Sequence, residues 1–399
     1  MGNELIKQAA GWLRQHWKLS ILFVVVALYP YIDSFLQEAS GYSLGGYTGS
    51  LVTVLMYAML ALGLNVVIGY AGLLDLGYAA FFAIGAYTMA LLSSPSPPWG
   101  TPVPLPFSYF WVAIVIAAGI ALFSGIVLGA PTIPLRGDYL AIVTLGFGEI
   151  VPVVFRNLTC VTIPFTPIKC LNLTAGEIGV SPVELPTVPF IATFNKIDLA
   201  PWYYLALLII IGAIIFNHRL EHSRLGRAWM AMREDQDAAE AMGVDVVRTK
   251  LLAFAMGASF SGFAGAYFAS YIQGVFPSTF DFSVSVIILC SVILGGAGNP
   301  YGAIFGGLVV VGVDRIGLGL LTDLMRNIGS ALPLIGGIDF KLWRYGLFGV
   351  ALVVVMLIRP EGVIPSAARA REFREAKQEA ELSGPEAAEE EVEREGAAG

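Results

Sequence analysis

Charge is what this chain has least of. Only 13% of its 399 residues are Asp, Glu, Lys or Arg, about half the share of a soluble protein. Cysteine and histidine are equally scarce, at three each and scattered, too few for a zinc site. The glycine-rich turn GGAGNPYG lacks the Gly-Lys-Ser/Thr ending of a phosphate loop, so the chain is not expected to bind ATP or another cofactor. No nucleophile–base pair or metal cluster suggests an enzyme, and no nucleic-acid partner is expected. A cleavable leader is not expected either. The first apolar run, Leu19 to Leu36, lacks a small-residue cleavage site and reads as a span.

What the chain has in place of charge is apolar length. Hydrophobic residues make up 56% of it, with 45 glycines, and several runs approach or exceed the roughly 18 residues that cross a bilayer. The fold class is therefore an all-α membrane protein. The spacing predicts about ten spans, near 19–36, 47–68, 78–92, 109–129, 139–155, 202–216, 251–271, 282–294, 303–320 and 342–358. Residues 1–18 are amphipathic and basic and suit a membrane surface. Residues 157–201 form a long outer loop. Residues 361–399 are an acidic tail read as a loose helix or disordered; 366–399 alone hold ten Glu against five Lys or Arg. An even number of spans puts both termini on one side. The Lys/Arg bias puts that side, with the loop 217–250, in the cytoplasm.

That loop, NHRLEHSRLGRAWMAMREDQDAAEAMGVDVVRTK, is the longest strongly charged interval before the tail. A short helix is marked at both ends within it. Asp235 suits the N-cap, Asp237 the first-turn dipole, and Gly243 the left-handed position after the last turn. Taken alone, DAAEAMG is open to two readings: an ordinary capped surface helix, or a docking helix whose small residues enter a partner's groove.

DAAEAMG resembles the EAA loop of ABC importer permeases, with Asp237 for the usual Glu. The flanking text, residues 222–254, is similar to the cytoplasmic loop of branched-chain amino acid permeases of that class. So are NVVIGYAGLLDLGYAAFFAIGAYTMALL (65–92), LRGDYLAIVTLGFGEIV (135–151) and VILGGAGNPYGAIFGG (292–307). The four blocks fall in order over residues 60–360, and the chain resembles the M-type subunit. The resemblance implies a homologous second permease subunit, two cytoplasmic ATPase subunits that bind the ATP, an extracytoplasmic solute-binding protein and an amino-acid substrate. It implies a bacterial plasma membrane, and a docking helix over 235–242. Ala238 and Ala239 would be its contact surface, Arg233 and Glu234 its rim, Asp235 and Asp237 its capped start, and Gly243 its exit. LTAGEIG (173–179) departs from the Thr-Gly-Gly usual in the outer loop. Substrate class therefore stays open between branched-chain or other neutral amino acids and urea or short amides. An ion-coupled secondary transporter is the rival from another class.

Other features each carry two readings. The break GYAGLLDLG, with Gly69, Gly72, Asp75 and Gly77, exposes backbone groups to a zwitterionic solute near the midplane or is a packing kink. Glu149 makes a structural hydrogen bond or lies on the translocation path. Asp314 and Arg315, adjacent in sequence, are expected to point apart and need separate partners. Ala258, Gly262 and Ala266 share a face of one span, and Ser261, Gly265 and Ala269 another, suited to close helix crossing or to lining a pathway. Cys160 and Cys170, ten residues apart in the outer loop, are expected to form a disulfide; Cys290, within a span, is expected to stay reduced.

Overall fold

Backbone polar groups in lipid must be satisfied within their own segment, so a long apolar run folds as a helix. The computed structural model describes residues 28–32, 35, 38, 47–98, 109–132, 138–160, 172–188, 192–195, 198–322, 342–359 and 362–365. The helices from residue 47 onward are α1 (Tyr47–Asn65, continued by a π turn, Val66–Tyr70), α2 (Tyr78–Ser93), α3 (Tyr109–Gly129), α4 (Asp138–Asn157), α5 (Ala200–Glu221), α6 (Arg224–Glu234), α7 (Gln236–Ala241), α8 (Val246–Ile272), α9 (Phe282–Gly295), α10 (Pro300–Gly312, continued by a π turn, Val313–Gly317) and α11 (Arg344–Ile358). The strands among the described residues are β1 (Thr187–Val188) and β2 (Ala192–Thr193), paired antiparallel. Among the described residues seven helices are long and apolar enough to cross a membrane, and α2 and α11 are shorter apolar helices. These nine stand where spans are predicted. The N-terminal segment lies outside the described residues, as do all of the first predicted span but 28–32 and 35 and all of the acidic tail but 362–365.

The centre of the bundle is α8, packed against α1, α2 and α3. Its small residues, Ala258, Ser261, Gly262, Gly265, Ala266 and Ala269, are all buried. A Cβ built on Gly85 of α2 would lie 2.2 Å from the Gly262 carbonyl oxygen, so backbone here touches backbone and the close-packing reading is the one realised. The Tyr78 hydroxyl ties the same helices by donating to the Gly257 carbonyl at 3.0 Å. A second pair, α9 and α10, crosses as closely: a Cβ on Gly306 would sit 1.8 Å from the Ser291 carbonyl oxygen. The spans differ in enclosure. The α1 span is 83% buried, whereas the α4 span is 28% buried and presents Tyr139, Ile142 and Ile150 outward.

Two expectations meet the structure here. Arg315 Nε lies 3.6 Å from Asp314 Oδ2, so the two also pair with each other, which was not expected. The reason is the π turn that holds them, whose wider winding brings sequence neighbours closer in angle than an α-turn does. Arg315 also lies beside Tyr57 of α1. In the outer loop, Arg156 pairs with Glu177 at 2.6 Å, and Val180 pairs with Val275 beyond α8. Cys160 is disulfide-bonded and Cys290 is a buried free thiol; Cys170 lies outside the described residues. Thiol labelling of denatured, unreduced protein is therefore expected to find one reactive cysteine. Three would show that the loop is not cross-linked.

Candidate functional site

The loop 217–250 folds as two helices rather than one. Ser223 caps α6, its hydroxyl oxygen accepting from the Gly226 N–H at 3.1 Å. This helix is amphipathic. Its apolar side buries Trp229 completely, and the indole N–H donates to the Thr249 carbonyl at 2.8 Å. Asp235 then takes an extended conformation that ends α6 and caps α7, its carboxylate accepting from the Asp237 and Ala238 N–H groups at 2.8 and 3.0 Å. Gly243 leaves α7 at φ +88°, and Asp245 caps α8, accepting from the Arg248 N–H at 3.0 Å. Three capped starts within 23 residues leave this segment little freedom.

On α7 the side chains divide by the roughly 100° step between successive residues. Ala239 turns inward and is 5% exposed, while Asp237, Ala238, Glu240, Ala241 and Met242 are exposed. The expected pairing of Ala238 with Ala239 on one contact surface therefore does not form. Ala239 packs against the bundle, and Met242, 85% exposed, is the large apolar side chain presented outward. The rim residues also differ. Glu234 is exposed, but Arg233 runs back to the membrane helices and its guanidinium donates to the Gly69 carbonyl at 2.6 Å. Gly72, at φ +69°, lies beneath it; a Cβ there would come within 2.7 Å of Arg233 Cγ.

Around this contact the four separate sequence blocks meet at one end of the bundle. Tyr70 and Leu73 from the break share a buried cluster with Leu140 of α4, Trp229 and Met232 of α6, and Phe254 of α8. The Leu76 N–H donates to Thr144 Oγ1 at 3.1 Å, and Gly77 packs so closely on α4 that a Cβ would meet the Thr144 carbonyl at 2.0 Å. Asn65 Oδ1 accepts from the Gly298 N–H at 2.8 Å, which brings in the GGAGNPYG turn. Gly69 and Gly72 thus lie beside α6, while Gly77, which donates to Asp75, packs on α4. Asp75 is 2% exposed; one carboxylate oxygen accepts from the Gly77 N–H at 2.9 Å, and the other has no hydrogen-bond partner among the described residues. It borders a small cavity of about 10 Å³ with Phe81, Leu128 and Phe147. Glu149 does not join this group. It stands on the exposed side of α4.

One cluster was missed in the sequence. His218, Glu221 and His222, at the C-terminal end of α5, lie close together. Their spacing of three and four residues along a predicted helix was the signal; two of the three histidines are not scattered.

The family described as branched-chain amino acid transport system, permease component, matches residues 46–356. The chain is 34% identical to the high-affinity branched-chain amino acid transport system permease protein LivM of Escherichia coli (strain K12), over 88% of this chain and 76% of that protein. It is 33% identical to the LivM protein of Salmonella typhimurium over the same shares. The permease protein LivH of Salmonella typhimurium is 23% identical, over 77% of this chain and 91% of its own length. No solved structure matches. The four blocks that meet beside α6 all fall within the matched region, and the chain belongs to the family of branched-chain amino acid transport system permease components.

Proposed function

We propose that this chain is one permease half of an ATP-driven importer for branched-chain or other neutral amino acids. Its partners are a homologous second permease, two cytoplasmic ATPases and an extracytoplasmic binding protein, in a bacterial plasma membrane with both termini and α6–α7 in the cytoplasm. The observation that carries this reading is the way α6 and α7 are fastened. Arg233 holds the end of α1 through Gly69, Trp229 holds the start of α8 through Thr249, and α7 is left projecting with Ala238, Ala241 and Met242 outward. A push on α7 by an ATPase passes through the shared Asp235 cap into α6, and from there into both helices. The likeness to both LivM and LivH supports two homologous halves. The exposed side of α4, with Glu149, is where the second half and the pathway between them fit best. Gly69, Gly72, Asp75 and Gly77 then belong to the inner gate.

Reconstitution with both permeases, the ATPases and the binding protein tests the reading. Leucine is expected to stimulate ATP hydrolysis and to accumulate inside vesicles. Urea-stimulated, leucine-insensitive hydrolysis would reassign the substrate, and full transport by this permease without a second one would overturn the two-half assembly.

Gly243 gives a local test. Nothing lies within 4 Å of its Cβ position, so a side chain meets no clash and acts on backbone conformation alone. Gly243→Val is expected to strain the left-handed residue by about 1 kcal/mol or more. The spans should insert normally while α7 is misaimed, and ATPase capture in a pull-down should weaken. Wild-type capture and transport would make α7 an ordinary surface helix.

A further inference from the structure

We propose that the last turn of α5 is a binding site for a divalent transition-metal ion, held by His218, Glu221 and His222. Residues three and four apart share one face of a helix, and one ligand atom from each of the three lies within 4.8 Å of the others. Tetrahedral ligation at the usual zinc–nitrogen distance needs ligand atoms about 3.4 Å apart. His218 is exposed, so rotation of its side chain can narrow that gap without moving backbone.

One ring is already set for ligation. His222 Nδ1 lies 2.9 Å from the His218 carbonyl oxygen. A carbonyl only accepts, so Nδ1 carries the hydrogen, and in the neutral ring Nε2 keeps its lone pair. An imidazole that donates one N–H to a backbone carbonyl and ligates through the other nitrogen is the usual arrangement around a metal. The His222 backbone is held from both sides. Its N–H donates to the His218 carbonyl, and its own carbonyl accepts from Arg227 Nη1 at 2.9 Å. The position also favours a cation, because a helix C-terminus carries partial negative charge. Glu221 adds a full one, set among the guanidinium groups of Arg219, Arg224 and Arg227.

Two imidazoles and one carboxylate suit Zn²⁺, Co²⁺, Ni²⁺ or Cu²⁺, not the all-oxygen sets of Mg²⁺ and Ca²⁺. Three protein ligands leave a position for water or a group from a partner. The site directly precedes Ser223, the cap of α6. A bound ion would therefore brace the corner between α5 and α6. None of this depends on what the protein transports.

The test uses the full chain, purified in detergent through a tag without histidine and stripped with a chelator. Zn²⁺ binding is measured by calorimetry, and Co²⁺ binding by visible absorption. One Zn²⁺ per chain is expected, with Mg²⁺ failing to compete. His218→Ala and His222→Ala should each weaken binding by about tenfold or more and remove the Co²⁺ ligand-field bands. Arg219→Ala should change nothing. His218→Ala leaves the backbone carbonyl that orients His222 in place, so its metal-free thermal unfolding should match the wild type. If wild type takes up no zinc, or if the His218→Ala and His222→Ala proteins bind it as tightly as wild type, the site does not exist.

Discussion

Gly262→Leu is expected to abolish accumulation of folded protein in the membrane. Gly262 lies where α2, α3 and α8 meet. Its Cβ would be 2.2 Å from Ala121 Cβ and 3.0 Å from the Ala117 carbonyl oxygen, while Gly85 of α2 presses on its own backbone from the other side. Carbon atoms rest at about 3.5–4.0 Å, so even the first carbon displaces a helix by more than an ångström. Overpacking of a well-filled interior costs typically about 1–3 kcal/mol. A four-carbon side chain where backbones touch belongs at or above the top of that range, out of a total stability of about 5–15 kcal/mol. Nothing on the other side of the joint can yield, since α8 is also packed on α1. Gly212→Leu on α5 is the matched control, because nothing lies within 4 Å of its Cβ position. Membrane-fraction yield and thermal unfolding in detergent should separate the two variants widely. Near-equal yields would mean that α2, α3 and α8 do not cross at these residues.

What was legible in the sequence is what local chemistry decides. Runs of about twenty apolar residues leave a membrane chain no option but helix, so the spans could be placed. Asp235 and Gly243 mark the ends of α7 because capping and a left-handed exit depend on a few neighbouring residues. The contacts that make the site are a different matter. Arg233 lies 164 positions from Gly69, and Asn65 lies 233 from Gly298; no spacing rule connects them. The four blocks were each recognised, yet nothing in their separate texts said that they converge beside α6. The inward turn of Ala239 has the same origin. DAAEAMG specifies a helix, but only the bundle beneath decides which of two adjacent alanines is covered. The helix α6 was hidden for another reason: eleven residues with three arginines read as a charged stretch, and its apolar side shows only once Trp229 and Met232 have something to bury against. Glu149 carried two readings, a structural hydrogen bond or the translocation path, and its exposure on α4 is a property of the folded bundle that its local text did not hold.

Arg233→Ala is expected to leave ATP hydrolysis largely intact and to cut amino-acid uptake by about tenfold or more. The guanidinium–carbonyl bond to Gly69 is charge-assisted, and such bonds contribute about 1.5–3 kcal/mol. That is enough to shift a two-state coupling by at least a factor of ten, since about 1.4 kcal/mol corresponds to tenfold. Removing it does not touch the exposed residues of α7 or the Trp229 anchor, so the ATPases should still dock and α6 should still rest on α8. What is lost is the link to the end of α1. Gly72→Ala should do the same by another route. Its Cβ would fall 2.7 Å from Arg233 Cγ at a left-handed backbone position, lifting the arginine off Gly69. If both act through one contact, the double variant should be little worse than either single one, as residues sharing an interaction are not additive. Uptake and hydrolysis are read in the same vesicles, so a fall in both together would point to failed assembly. Arg233→Lys, which keeps the charge but not the fork of donors, should fall between. Should Arg233→Ala and Gly72→Ala each transport at the wild-type rate per ATP consumed, force from α7 does not travel through the break. The remaining route would be the Trp229 indole and the base of α8.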